Sequence, residues 1–127
     1  MSGRILIVDD DESMCEALAK ALTRGGFIVA WKTTALEALA LLDAEDFDVV
    51  LTDLGMPYFD GRQVVKTIKE ESPATPIIML TGWGSFMKED GDMPEQVSGI
   101  LSKPPRSNEL REMLRRVGAL RGNPKGN

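Results

Sequence analysis

The sequence contains no histidine. That absence removes Ser-His and Cys-His nucleophilic catalysis, histidine-ligated zinc, and any phosphohistidine formed within the chain. Cysteine is nearly missing as well. The single Cys15 cannot close an internal disulfide, which suits a reducing cytoplasm. It falls on the apolar face of a helical pattern and reads as a buried structural thiol. Long apolar runs are lacking: the longest are four or five residues, such as Ile5-Leu6-Ile7-Val8. Nothing of that length spans a bilayer, so no membrane insertion is expected, and no signal-peptide pattern is present. Basic excess is lacking too. Fifteen Lys and Arg against 20 Asp and Glu give a formal charge of −5. Phosphate backbones reward basic patches, so this balance argues against nucleic acid as a direct partner.

What is present is an ordinary globular composition. The 127 residues are 43% apolar and 28% charged, enough for one domain with a real core. Strand patterns fall at 4–8, 27–31, 47–52, 76–81 and 100–102. Between them lie helical patterns. The first opens at Asp9-Asp10-Asp11-Glu12, carries Met14, Ala17, Leu18, Ala21 and Leu22 on one face, and stops at Gly25-Gly26. The second opens with the capping pattern Thr34-Ala35-Leu36-Glu37 and takes Leu39, Leu41 and Leu42 as its apolar side. The third begins at Gly61 with Val64, Val65 and Ile68, and Ser72-Pro73 ends it. Between 82 and 99, Gly84, Gly91 and Pro94 predict a short, irregular fourth helix. A last helix starts near Ser107, with Leu110, Met113, Leu114 and Val117 inward. Residues 1–120 read as the folded domain and 121–127 as a disordered tail or linker remnant.

The strands are continuous apolar runs rather than alternating ones. That predicts an α/β fold: a doubly wound parallel sheet of five strands with helices on both faces. Ligands of such sheets bind beyond the carboxyl ends of the strands. The residues just past each strand therefore carry the chemistry. Asp9 and Asp10 come after the first, Asp53 after the third, Thr81 ends the fourth and Lys103 comes after the fifth. The second strand, at the margin, ends in Trp31 and adds no comparable group. Two carboxylates about 4 Å apart repel by roughly 4 kcal/mol at an effective dielectric near 20. An oxygen-only cluster of this kind suits a hard divalent ion, most naturally Mg²⁺, with Mn²⁺ also acceptable. With a metal beside it, Asp53 could attack phosphorus in line and form an acyl phosphate, while Lys103 and the Thr81 hydroxyl take other phosphoryl oxygens. Taken singly, each residue has a plainer role: helix-cap acids at 9–12, a strand-end threonine, a surface lysine. Their agreement in strand placement favours the phosphoacceptor.

Four segments carry a family resemblance: Ile-Leu-Ile-Val-Asp-Asp-Asp (5–11), Asp-Leu-Gly-Met-Pro-Tyr-Phe-Asp-Gly (53–61), Met-Leu-Thr-Gly (79–82) and Leu-Ser-Lys-Pro (101–104). The chain resembles the receiver domain of two-component response regulators from about Arg4 to Val117. The resemblance implies a flavodoxin-like strand order, 2-1-3-4-5. It implies that Asp53 accepts a phosphoryl group from a phosphohistidine on a sensor histidine kinase or phosphotransfer protein, and that the domain then changes its contacts with a downstream protein target. It also implies that Asp10, Asp53 and the backbone carbonyl of Gly55 ligate Mg²⁺, with Asp9 acting through a metal-bound water. Thr81 and Lys103 would hold the phosphoryl oxygens, and the Lys103–Pro104 bond would be cis. Beyond self-phosphorylation from a donor and autodephosphorylation, no enzymatic activity is implied.

The chain departs from the family pattern in places. Ile100 stands where receivers usually carry Tyr or Phe, so an aromatic ring cannot be the readout. The broken fourth helix puts a dimer through that face in doubt. Gly82 follows Thr81, and Trp83 lies near the mouth of the site. Either Trp83 covers the acyl phosphate, and Trp83→Ala shortens its lifetime, or it packs the loop and the lifetime is unchanged. No helix-turn-helix or catalytic module follows Val117. This favours a stand-alone receiver or one belonging to a hybrid sensor kinase or multi-receiver protein. The Gly-Trp-Gly loop and irregular helix lean toward the hybrid kinase or multi-receiver protein. A different class is a phosphatase of the haloacid-dehalogenase type, with Asp9 as nucleophile and Asp11 as general acid. It leaves Asp53 without a role and lacks a cap domain.

Overall fold

The computed structural model describes residues 3–53, 61–81, 97–103 and 105–118, excepting the side chains of 61–64 and 81. In chain order the elements are β1 (Arg4–Val8), α1 (Glu12–Arg24), β2 (Ile28–Lys32), α2 (Ala35–Ala44), β3 (Val49–Asp53), α3 (Gly61–Glu71), β4 (Ile77–Thr81), β5 (Gly99–Ser102) and α4 (Ser107–Arg116). The irregular helix expected between the fourth and fifth strands lies outside the described residues, and α4 is the last helix among the described residues.

The strands form one sheet in the order β2-β1-β3-β4-β5, and every neighbouring pair is parallel. This is the doubly wound arrangement the alternation predicts. Successive strand residues point to opposite faces, so a run of four apolar residues needs cover on both sides. Ile5, Leu6, Ile7 and Val8 are all fully buried. Ile5 and Ile7 join a core with Leu18 and Leu22 of α1 and Leu110 and Leu114 of α4. Leu6 and Val8 face the other way, onto Ala38 and Leu42 of α2 and Val65 and Ile68 of α3.

The structure corrects several details. β2 begins at Ile28, not Phe27, and runs on to Lys32; β3 begins at Val49, not Phe47. Both phenylalanines are buried, but each packs its ring into a core from the turn before the strand rather than from the ladder. Residue 48 closes that turn instead: the Asp48 N–H donates to the Arg4 carbonyl at 2.8 Å, and Asp48 Oδ2 accepts the Arg4 N–H at 2.7 Å. The Arg4 guanidinium also lies 5.1 Å from the Phe47 ring centroid, close enough for a cation–π contact. The inward face of α2 is Ala35, Ala38 and Leu42. Leu39 and Leu41 are only half-buried, and Leu36 is 69% exposed. Leu39 and Leu41 pack against the edge of the same core from either side of that face.

Helix ends follow the sequence signals. Asp11 caps α1, accepting the Met14 N–H at 3.1 Å, and Thr34 caps α2, accepting the Glu37 N–H at 3.2 Å. At the other end of α1 the Gly25 N–H donates to the carbonyls of Ala21 and Leu22. Gly26 then turns the chain with φ +97°, a left-handed conformation that glycine adopts without strain.

Candidate functional site

The strand order reverses between β1 and β3, since β2 lies outside β1 while β4 and β5 lie beyond β3. A crevice opens at such a switch point beyond the strand ends. Val8 is level with Thr52, so Asp9 follows one strand just where Asp53 ends its neighbour. One carboxylate oxygen from each of Asp9, Asp10 and Asp53 lies within 4.8 Å of the others. Asp9 is fully buried and Asp53 is 6% exposed, while Asp10 is open to solvent. Lys103 reaches in from beyond β5. Its Nζ lies 2.8 Å from Asp9 Oδ2 and 3.2 Å from Asp53 Oδ1.

The electrostatics show an undercompensated site. Burial works against the charge of the Lys103 ammonium, yet its contacts with Asp9 and Asp53 outweigh that and raise its pKa. Asp10 has its carboxyl pushed up, first by partial desolvation and then by the charges of Asp53 and Asp9. Among the described residues one ammonium therefore faces three carboxylates, and the exposed Asp10 is left with an unfavourable charge. The donor set fits a hard divalent ion: all ligands are oxygen, two are fixed, and one is reachable from solvent.

Strand placement predicts these four side chains at one edge, and the structure brings them together. The backbone of Thr81 ends β4 at the same edge, level with Ser102. Gly55, Gly82, Trp83 and Pro104 lie outside the described residues, and with them the expected carbonyl ligand, the loop tryptophan and the cis bond. Ile100 is half-buried on β5, level with Met79. The supporting contacts carry no sequence signal of their own. The Asp9 N–H donates to the Lys32 carbonyl at 3.2 Å, so β2 does serve the site, through its backbone. Asp9 Oδ1 accepts the Asp11 N–H at 2.9 Å. The Cys15 thiol donates to the Asp9 carbonyl at 3.3 Å. These ties depend on the register of β1 with β2 and on the first turn of α1, which residue types alone do not specify.

The sequence profile of the response regulator receiver domain matches residues 5–115. This chain belongs to that family. The receiver is 31% identical over 124 residues to the response regulator protein FleR of Pseudomonas aeruginosa, covering 96% of this chain and 26% of that protein. It is 39% identical over 115 residues to the DNA-binding transcriptional regulator NtrC of Proteus hauseri, covering 91% of this chain and 24% of that protein. The chain thus spans about a quarter of the length of these two relatives. Among solved structures, the chemotaxis protein CheY4 of Vibrio cholerae superposes with a TM-score of 0.81 at 31% identity, covering 92% of this chain and 99% of that one.

Receivers are phosphoacceptor domains of two-component signal transduction, working between histidine kinases and downstream effectors, and they bind Mg²⁺ at an acidic pocket. The family match does not support the haloacid-dehalogenase alternative, and the Asp11 carboxylate that it would use as general acid caps α1. Among the described residues no helix is long and apolar enough to cross a membrane.

Proposed function

We propose that Asp53 is the phosphoacceptor of this receiver. The observation that carries the reading is the convergence of Asp53, Asp9, Asp10 and Lys103 at the switch-point edge. A carboxylate oxygen of Asp53 attacks the phosphorus of a phosphohistidine on a partner kinase or phosphotransfer protein. A P–O bond forms, the P–N bond breaks, and the leaving imidazole takes up a proton. The donor is external, since the chain has no histidine. Mg²⁺ or Mn²⁺, when bound, neutralises the carboxylates and draws in a phosphoryl oxygen.

Asp10, Asp53 and the Gly55 carbonyl are the groups that would hold the ion. Asp9 acts at one remove, through water, because its two oxygens are engaged by the Asp11 N–H and by Lys103. Lys103 already spans Asp9 and Asp53 and is, among the described residues, the cation placed to meet an incoming phosphoryl group; Thr81 is its hydroxyl counterpart. In autodephosphorylation water attacks the phosphorus, the P–O bond to Asp53 breaks, and inorganic phosphate leaves as the Asp53 carboxylate is restored.

The phosphoryl group adds nearly two negative charges at one point and biases a pre-existing equilibrium of the surrounding loops. A downstream protein reads that change. With Ile100 in the usual aromatic position, the readout is carried by loop and backbone movement rather than ring rotation. The receiver occupies residues 1–120, with 121–127 as a tail or linker remnant, and works in the cytoplasm. Its charge of −5 supports no direct contact with nucleic acid by the receiver itself. DNA binding is what the name of the Proteus relative states for that whole protein.

Intact mass after incubation with Mg²⁺ and a small-molecule phosphodonor tests the assignment. One added phosphoryl group on the wild type and on Asp9→Asn, absent in Asp53→Asn, is the expected result. Retention of the added mass in Asp53→Asn would move the acceptor elsewhere.

A further inference from the structure

Asp9 is tied down through every polar group it has. Its N–H donates to the Lys32 carbonyl, its Oδ1 accepts the Asp11 N–H, its Oδ2 faces Lys103, and its carbonyl oxygen accepts the Cys15 thiol. Three of these ties come from backbone or from the site's own lysine. The fourth comes from a side chain with no obligation to carry a donor. Cys15, on the inward face of α1, is fully buried in the core cluster that includes Ile7 and Leu18, where an alkyl group of similar size would fill the space. Asp9 has no solvent exposure, so water cannot replace the thiol at its carbonyl.

We propose that Cys15 is a positioning residue for the metal and phosphoryl site. Its S–H fixes the corner between β1 and α1 in the geometry that presents Asp10 beside Asp53. The inference rests on the reading of the site given above. The contact spans six residues, from the first turn of α1 back to the end of β1. It therefore sets the angle at which the chain leaves the sheet, and Asp10 is the residue at that bend. A thiol is a weak donor, so the effect is one of tuning rather than of presence or absence.

The test uses the full ¹⁵N-labelled chain, wild type, Cys15→Ala and Cys15→Ser, observed by NMR during a Mg²⁺ titration and during amide exchange. Alanine removes the donor and serine restores one, while both remove the sulfur and its packing. Cys15→Ala should weaken Mg²⁺ binding and speed exchange of the Asp11 amide by about threefold, the scale of one weak hydrogen bond, and Cys15→Ser should return both toward the wild type. Equal Mg²⁺ affinity and equal exchange in wild type and Cys15→Ala would overturn the proposal. Equal losses in Ala and Ser would also overturn it, by assigning the effect to lost packing. If the wild type itself takes up no Mg²⁺, the reading of the site fails. The Asp11 amide then decides the corner by itself: faster exchange in Ala, recovered in Ser, supports the tie, and unchanged exchange overturns it.

Discussion

Thr52 and Cys15 are both buried polar side chains next to the acidic cluster, and they differ in what they have found there. The Thr52 hydroxyl has no hydrogen-bond partner among the described residues, although the residue is fully buried between Val8 and Met79. An unpaired buried hydroxyl costs about 1–3 kcal/mol. Thr52→Val, which keeps the branched shape, should therefore raise the urea midpoint and stabilise the fold by about 1 kcal/mol. No change would mean that the hydroxyl is satisfied after all. Cys15 has a partner, and burial, followed by the charges of Asp9 and Asp11, pushes its thiol up to about 12 from 9.0. Below pH 9 the thiol is neutral in both folded and unfolded chains and contributes nothing to pH dependence. Between 9 and 12 the unfolded chain ionises first, so stability falls as pH rises, by at most about 1.4 kcal/mol per pH unit. Lys103, whose pKa is also raised, acts in the same direction above 10.5. Urea midpoints across pH 7.5 to 10 should decline in the wild type as pH passes 9 and stay level in Cys15→Ala, because the lysine contribution begins only above 10.5. Parallel slopes would show that the thiol ionises equally in both states.

The first turn of α1 is where an element and the site meet. Asp11 belongs to the same acidic run as Asp9 and Asp10, yet its carboxylate holds the Met14 N–H and its N–H holds Asp9. Asp11→Ala should cost about 1 kcal/mol of stability, the usual value of a cap, while Asp53 still takes up phosphate and Asp11→Asn keeps both properties. Loss of phosphorylation in Asp11→Asn would give this residue a chemical role instead. The run at 9–12 shows what a sequence reveals and what it does not. Strand placement makes Asp9, Asp10, Asp53 and Lys103 legible as one cluster, because parallel strands deliver their ends to one edge whatever the packing. The division of labour among adjacent acids is not legible, since it depends on which residue the helix takes as its cap. Element boundaries blur for a similar reason. Phe27 and Phe47 are as apolar as any strand residue, and only the ladder shows that they bury their rings from the turns. In α2 leucines outweigh alanines on any hydrophobicity reading, whereas the positions that are buried are Ala35, Ala38 and Leu42.

For the molecule as a whole, the acidic cluster sets stability against function. The raised pKa of Asp10 means that folding disfavours its charge. At neutral pH the ionised carboxylate therefore opposes the fold, and without metal that cost is relieved as pH falls and Asp10 takes up a proton. A divalent ion relieves it without a proton. A ligand bound by the folded chain alone stabilises it by mass action, about 1.4 kcal/mol at ten times its dissociation constant. In a domain of this size that is a rise of about 5 °C in melting temperature. Calorimetry at pH 7 should show this increment on adding Mg²⁺ to the wild type. Asp10→Asn should melt higher than the wild type without metal, because the disfavoured charge is gone, and should gain little from Mg²⁺. The two changes have opposite origins but one cause, the charge of a single exposed carboxylate held beside two buried ones. A wild type insensitive to Mg²⁺ would mean that Lys103 alone balances the cluster. An Asp10→Asn variant that melts lower would mean that Asp10 makes a structural contact worth more than its repulsion.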